Sequence, residues 1–189
     1  SLAAALFAAP FVLLSGLAGM LADRYSKRSV ILWCKVAEVC IVLCGMAALA
    51  SGVLAASLAV VGLLGIHSAF FGPAKYGILP ELLPKSELPR ANGLVLMATF
   101  LAIIFGLAGA GASISFGRWM WQDQLWPVSV VCLVIAALGW CCAWGIRPLP
   151  AAAPELRIQA KGWFITSETL RLLRDRRDLL TCVIASSTF

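Results

Sequence analysis

Apolar runs of about twenty residues, parted by short charged turns, constrain this chain more than any other feature. Leu2–Ala22 and Val30–Ser51 are each long enough to cross a hydrocarbon layer, and only a short charged turn separates them. Val53–Phe71, Gly93–Phe116 and Pro127–Ile146 repeat the pattern, and a further run opens at Leu179. The chain is 61% hydrophobic and 13% charged, against roughly 25% charged residues in soluble domains. A soluble fold of 189 residues has too little interior to hide that much apolar surface. In a bilayer, lipid replaces the core, and a helix satisfies its own backbone polar groups. The expected fold is therefore all-α, a polytopic transmembrane helical bundle.

Charge sets the orientation. The chain has 15 Lys and Arg, and all but Lys35 and Arg118 fall in three connections. These are the turn with Arg24, Lys27 and Arg28, the loop with Lys75, Lys85 and Arg90, and the segment after Ile146. Positive residues gather on the cytoplasmic side of membrane proteins, so those three connections face the cytoplasm. The loop Gly117–Trp126 then faces outward, with Trp119, Trp121 and Trp126 as an interfacial aromatic belt. The net charge of +6 belongs to this asymmetry and implies no nucleic acid, because no basic domain is present. Seven cysteines all lie in the expected spans, without a CxxC pair, and act as small apolar residues. The lone His67 offers no metal-ligand spacing, so no metal and no cofactor is expected.

The connections differ in kind. Ser51-Gly52 alone parts the second and third runs, which implies a tight helical hairpin. Pro73 to Asn92 is a longer proline-rich polar connection. Arg147–Asp178 begins proline-rich and turns helical around Thr166–Leu173, as an interfacial amphipathic helix or a solvated linker. Gly106, Gly109 and Gly111, among alanines of the fourth run, allow close approach of another helix.

Ionisable residues inside apolar runs are the site candidates, because each costs roughly 2.5–3.5 kcal/mol to insert. Lys35 and Glu38 share one helix face at i, i+3 and can pair. Lys35 lies about 10 Å beyond the charged turn at 1.5 Å per residue. The two either line a cavity open to the cytoplasm or form a structural ion pair. His67 is either a proton relay or a packing residue. Gly72-Pro73 bends or ends the third helix just before Lys75. Lys75, beside Tyr76, can reach a cavity mouth and bind an anionic headgroup, or simply snorkel to the interface. In the first turn, Asp23 can accept hydrogen bonds from a helix N-terminus. Arg24, Lys27 and Arg28 can bind opposing carboxylates or anionic lipid. That turn reads as a conformational gate or as plain topology determinants. No phosphate-binding GxxxxGK[ST] motif appears, so nothing supports ATP-driven transport by this chain.

Two stretches carry a family resemblance. Gly19-x-Leu21-Ala22-Asp23-Arg24-x-Ser26-Lys27-Arg28 resembles the loop between helices two and three of the major facilitator superfamily, with Ser26 where the family usually has glycine. His67 through Glu81, followed by Ala91-Asn92-Gly93-Leu94, resembles the lysophospholipid transporter family. Trp33–Glu38 and Thr99–Ile104 lean toward a subgroup fused to acyltransferase and acyl-acyl-carrier-protein synthetase domains. Leu96 stands where that family often has an acidic residue. The resemblance implies a fragment of the major facilitator fold, about helices two to seven of twelve. Residues 1–146 would be helices two to six of the first bundle, with helix one missing. Residues 147–178 would be a cytoplasmic inter-bundle linker, and 179–189 the start of helix seven.

The resemblance further implies a multi-pass transporter of the bacterial inner membrane, not an enzyme. It would move lysophospholipids such as lysophosphatidylethanolamine to the cytoplasmic leaflet for reacylation, by alternating access. Lys75 would contact the headgroup phosphate, Lys35 and Glu38 would line the cavity, and Gly19, Asp23, Arg24, Lys27 and Arg28 would form the gate. The partners implied are the lysophospholipid, membrane lipids and a fused or associated acyltransferase. Two rivals stay open: a proton-coupled drug or metabolite exporter, and the transporter part of an acyltransferase fusion.

Overall fold

The computed structural model describes residues 2–120, 126, 128–156, 175 and 181, with side chains described to residue 115 in the fifth helix. The side chain of Trp119, and Trp121, the stretch 166–173 expected to be helical, most of the expected 147–178 linker and nearly all of 179–189, lie outside the described residues.

Helix follows the apolar runs. α1 spans Leu2–Arg24, α2 Lys27–Ser51, α3 Leu54–Gly77, α4 Leu79–Leu82, α5 Leu88–Met120 and α6 Val128–Trp144. Four of the described segments are long and apolar enough to cross a membrane: Leu2–Arg24, Lys27–Ser51, Leu54–Leu82 and Leu88–Ser115. The fifth expected span is the shorter helix α6, of 17 residues, about 25 Å of rise. No strand occurs among the described residues.

The helix ends follow backbone chemistry. Gly52 takes φ 66° and caps α2, its N–H bonding to the Leu49 carbonyl, a left-handed turn that favours glycine. Ser26 sits at φ −54° and ψ 125°. Any residue adopts that conformation, so serine costs nothing where the superfamily usually has glycine. Pro73 lies inside α3, which runs unbroken to Gly77. Of the bend or end expected at Gly72-Pro73, the end is therefore corrected. A proline removes one ladder hydrogen bond, and packing of the buried Ala69 and Ala74 on either side of it carries the helix through.

α3 is the central helix. α1 and α2 each pack along it, and α6 packs against α2, whereas α1 and α2 touch little beyond their turn. Small side chains make these approaches possible. A Cβ at Gly65 of α3 would stand 2.5 Å from the Phe7 carbonyl oxygen of α1. The close approach expected at the small residues of α5 is not there: nothing lies within 4 Å of a Cβ placed at Gly106, Gly109 or Gly111. Among the described residues α5 buries no side chain. The best-packed core gathers where the charged connections meet, around Ala22, Ile31, Ala74, Ile78 and Ala143.

Candidate functional site

The turn between α1 and α2 places its three basic residues in three environments. Lys27 is 5% exposed. Its ammonium donates to Glu81 Oε1 of α4 at 2.5 Å and lies 3.6 Å from Asp23 Oδ1. It passes Gly77, where a Cβ would come within 2.9 Å of Lys27 Cε. The glycine that ends α3 thus opens the path of this lysine. The other oxygen of Glu81, Oε2, is buried and accepts no hydrogen bond among the described residues.

Arg28 turns the other way. Its Nε donates to the Ile146 carbonyl at 2.6 Å, a guanidinium nitrogen reaches the Trp144 carbonyl at 3.4 Å, and the group lies 5.9 Å from the Trp144 ring centre. Arg147 donates to the carbonyls of Glu81 and Leu82 at 3.3 and 2.8 Å. These carbonyls lie at the C-terminal ends of α6 and α4, where the helix leaves acceptors without partners and the dipole favours cations. The Asp23 carbonyl accepts from Ala153 N–H at 2.8 Å. The result is a clasp that ties α1, α2, α4 and α6 at one end of the bundle. Asp23, Lys27 and Arg28 all belong to it. Arg24 lies instead 5.6 Å from the Tyr25 ring centre, and Gly19 has nothing within 4 Å of its Cβ position.

A second cluster lies deeper. Lys35 donates to Glu38 Oε2 at 2.7 Å, stands 5.0 Å from the Phe71 ring centre, and packs on Gly139 of α6, whose Cβ would be 3.3 Å from Nζ. His67 stacks on Phe71 at 5.9 Å, and its Nε2 lies 3.0 Å from the Cys34 carbonyl. A carbonyl only accepts, so Nε2 carries the proton. Lys35, Glu38 and His67 therefore meet where α2, α3 and α6 pack. A single cation–carboxylate pair with an aromatic face is a compact way to hold a charge in lipid.

Lys75 forms a third. Its ammonium donates to Thr99 Oγ1 of α5 at 2.8 Å, and Thr99 donates onward to the Val95 carbonyl at 2.7 Å. The ammonium is 5.5 Å from the centre of the Tyr76 ring, which is itself exposed. Because α3 is continuous, Lys75 stands two turns beyond His67, about 12 Å along the axis. No described hydrogen bond or ion pair joins the Lys75 cluster to that of Lys35.

Glu81, Gly77, Arg147, Thr99 and Gly139 were not singled out from sequence. Lys27 and Glu81 are 54 positions apart, and Arg28 and Ile146 118 apart, so no local spacing signals the pairs. Thr99 carried one weak signal, a hydroxyl inside an apolar run.

The sequence profile of the Major Facilitator Superfamily matches residues 1–189, the whole chain. The chain belongs to this superfamily. The all-helical bundle agrees with a partial facilitator bundle. Among curated relatives, it is 35% identical over 107 residues to the lysophospholipid transporter LplT of Salmonella arizonae, covering 56% of this chain and 25% of that protein. It is 32% identical over 105 residues to LplT of Escherichia coli O1:K1, with the same coverage. The matched part spans about a quarter of the length of these relatives. No solved structure is significantly similar to the chain.

Proposed function

We propose that this facilitator chain belongs to a transporter of lysophospholipids, working in a bacterial inner membrane by alternating access of two helical bundles, with Lys75 as the anchor for the headgroup phosphate. The similarity to proteins named lysophospholipid transporter supports the substrate class. The observation that carries the site is the Lys75 ammonium held on the Thr99 hydroxyl at 2.8 Å between α3 and α5. A lysine held by a neutral hydroxyl keeps its full charge for a ligand, whereas one held by a carboxylate does not. Lys27 and Lys35 are both neutralised in that way. Lys75 therefore suits an anion, and the exposed Tyr76 ring beside it can cover an apolar chain.

The residue division follows from this. Lys75 and Tyr76 take the substrate, with Lys35, Glu38 and His67 forming the polar wall behind them. Gly19 and Asp23 of α1, with Lys27 and Arg28 at the start of α2, belong to the gate. Residues 1–146 act as part of one bundle and 147–178 as the link to the next. Delivery to the cytoplasmic leaflet would supply reacylation, by a fused or a separate acyltransferase.

Uptake of labelled lysophosphatidylethanolamine into spheroplasts tests this with the full-length protein. Lys75→Ala reduces uptake at low substrate by about tenfold, the weight of one charge-assisted phosphate contact, and Lys75→Arg retains most of it. Unchanged uptake in Lys75→Ala removes the headgroup role. Flux that follows a pH gradient and ignores lysolipid supports the drug or metabolite exporter instead.

A further inference from the structure

The two helices of the α1–α2 hairpin pack unequally on α3. On one side the helices part over α3 and leave a groove of about 460 Å³. Tyr25 and Ser29 form its mouth, Trp33, Ala37 and Ile41 continue along α2, and Ile66 and His67 of α3 belong to its floor. The α2 positions recur every four residues, which sets them on one helix face. Between Ser29 and Ile41 the groove runs about 18 Å along the axis. Its lining is almost wholly apolar, and Trp33 is 74% exposed beside it. The groove reaches from the charged turn into the depth of the membrane, where lipid is the solvent.

The charge at its mouth selects the lipid. Of the three cations of the turn, Lys27 is committed to Glu81 and Arg28 to the carbonyls of α6. Arg24 is the exception: its guanidinium faces the Tyr25 ring at 5.6 Å and makes no described hydrogen bond. Its guanidinium donors are therefore without a described partner beside Tyr25, which lines the groove, and their fork suits a phosphate. Within the clasp and its turn, Arg24, Lys27, Arg28 and Arg147 outnumber Asp23 and Glu81, so an anion is favoured over a zwitterion. Headgroup depth, a free guanidinium and an apolar channel below it are the three parts of a phospholipid site.

We propose that the α1–α2–α3 groove holds an anionic phospholipid of the cytoplasmic leaflet, its phosphate on Arg24 and one acyl chain along Trp33, Ala37, Ile41 and Ile66. This site is distinct from the Lys75 anchor and shares only His67 with the wall behind it. The lipid is a resident ligand, seated against the hairpin whose turn builds the clasp. Its presence there links leaflet charge to the turn.

Native mass spectrometry of the purified protein, with dioleoylphosphatidylglycerol or dioleoylphosphatidylcholine added, tests the site. Wild type retains one phosphatidylglycerol about fivefold more strongly than phosphatidylcholine, the share of one basic side chain at an anionic surface. Arg24→Gln lowers phosphatidylglycerol to the phosphatidylcholine level. Ala37→Trp, which fills the groove from an exposed position, removes retention of both, and Ile41→Trp does the same should Ala37→Trp fail to fold. Lys75→Gln leaves phosphatidylglycerol retention unchanged. Equal retention of the two lipids by wild type, or wild-type retention in Arg24→Gln or in the folded groove-filling variant, overturns the site. So does a loss in Lys75→Gln as large as that in Arg24→Gln, which would put the lipid at the other lysine.

Discussion

Glu81→Ala is the sharpest probe of the clasp. Lys27 is almost fully buried, and Glu81 is its close partner, with Asp23 a full 3.6 Å away and largely exposed. Breaking a buried ion pair from one side typically costs 3–5 kcal/mol, because the remaining charge is stranded. The Glu81 side chain is 25% exposed, and Asp23 can still attract the ammonium. Both reduce the penalty, and the expected loss is about 2–3 kcal/mol. Removing both charges has a different outcome. Lys27→Met with Glu81→Leu fills the space without a charge and stays within about 1 kcal/mol of wild type. The double-mutant cycle built from Lys27→Met and Glu81→Leu therefore gives a coupling of at least about 2 kcal/mol. Reversible unfolding in mixed micelles, followed by circular dichroism, measures the proteins of the cycle and Glu81→Ala. Should Glu81→Ala cost under about 0.5 kcal/mol, or should the single effects simply add, the pair does not hold the two helices and the clasp is decorative.

Two further substitutions test the packing in the same assay. Gly65→Val drives a side chain into the Phe7 carbonyl, where even a Cβ would sit at 2.5 Å, and destabilises by about 1–3 kcal/mol; Gly62→Ala, with nothing within 4 Å, is the control and is neutral or slightly stabilising. Gly139→Ala meets only the flexible end of Lys35 and changes stability by under about 0.5 kcal/mol, whereas Gly139→Leu displaces the Lys35–Glu38 pair and costs about 1–3 kcal/mol.

Much of the architecture was legible before the structure. The Ser51-Gly52 hairpin followed from one glycine in an unbroken apolar run, and its φ of 66° is what only glycine takes readily. The Lys35–Glu38 pair followed from i, i+3 spacing and the cost of leaving either charge alone in lipid. Pro73 misled, because proline's effect on a helix is local while the packing that carries α3 through it is not. The small residues of α5 misled in the opposite way. Small side chains permit a close approach but do not say which helix makes it, and Gly65 makes it instead.

The first turn shows the division most clearly. Its composition alone placed three cations beside one aspartate at the membrane boundary, since charge and apolar length are properties of a local stretch. The different fates of those cations were decided in three dimensions. Lys27 lies under Glu81, Arg28 under the end of α6, and Arg24 stays free beside a groove. Their partners are dozens of positions away, or are backbone carbonyls that every residue has. Apolar length therefore determined that this chain spans a membrane. Tertiary packing alone decided which charges are spent on holding the helices together and which are left for a ligand, because that depends on what the fold brings within 3 Å.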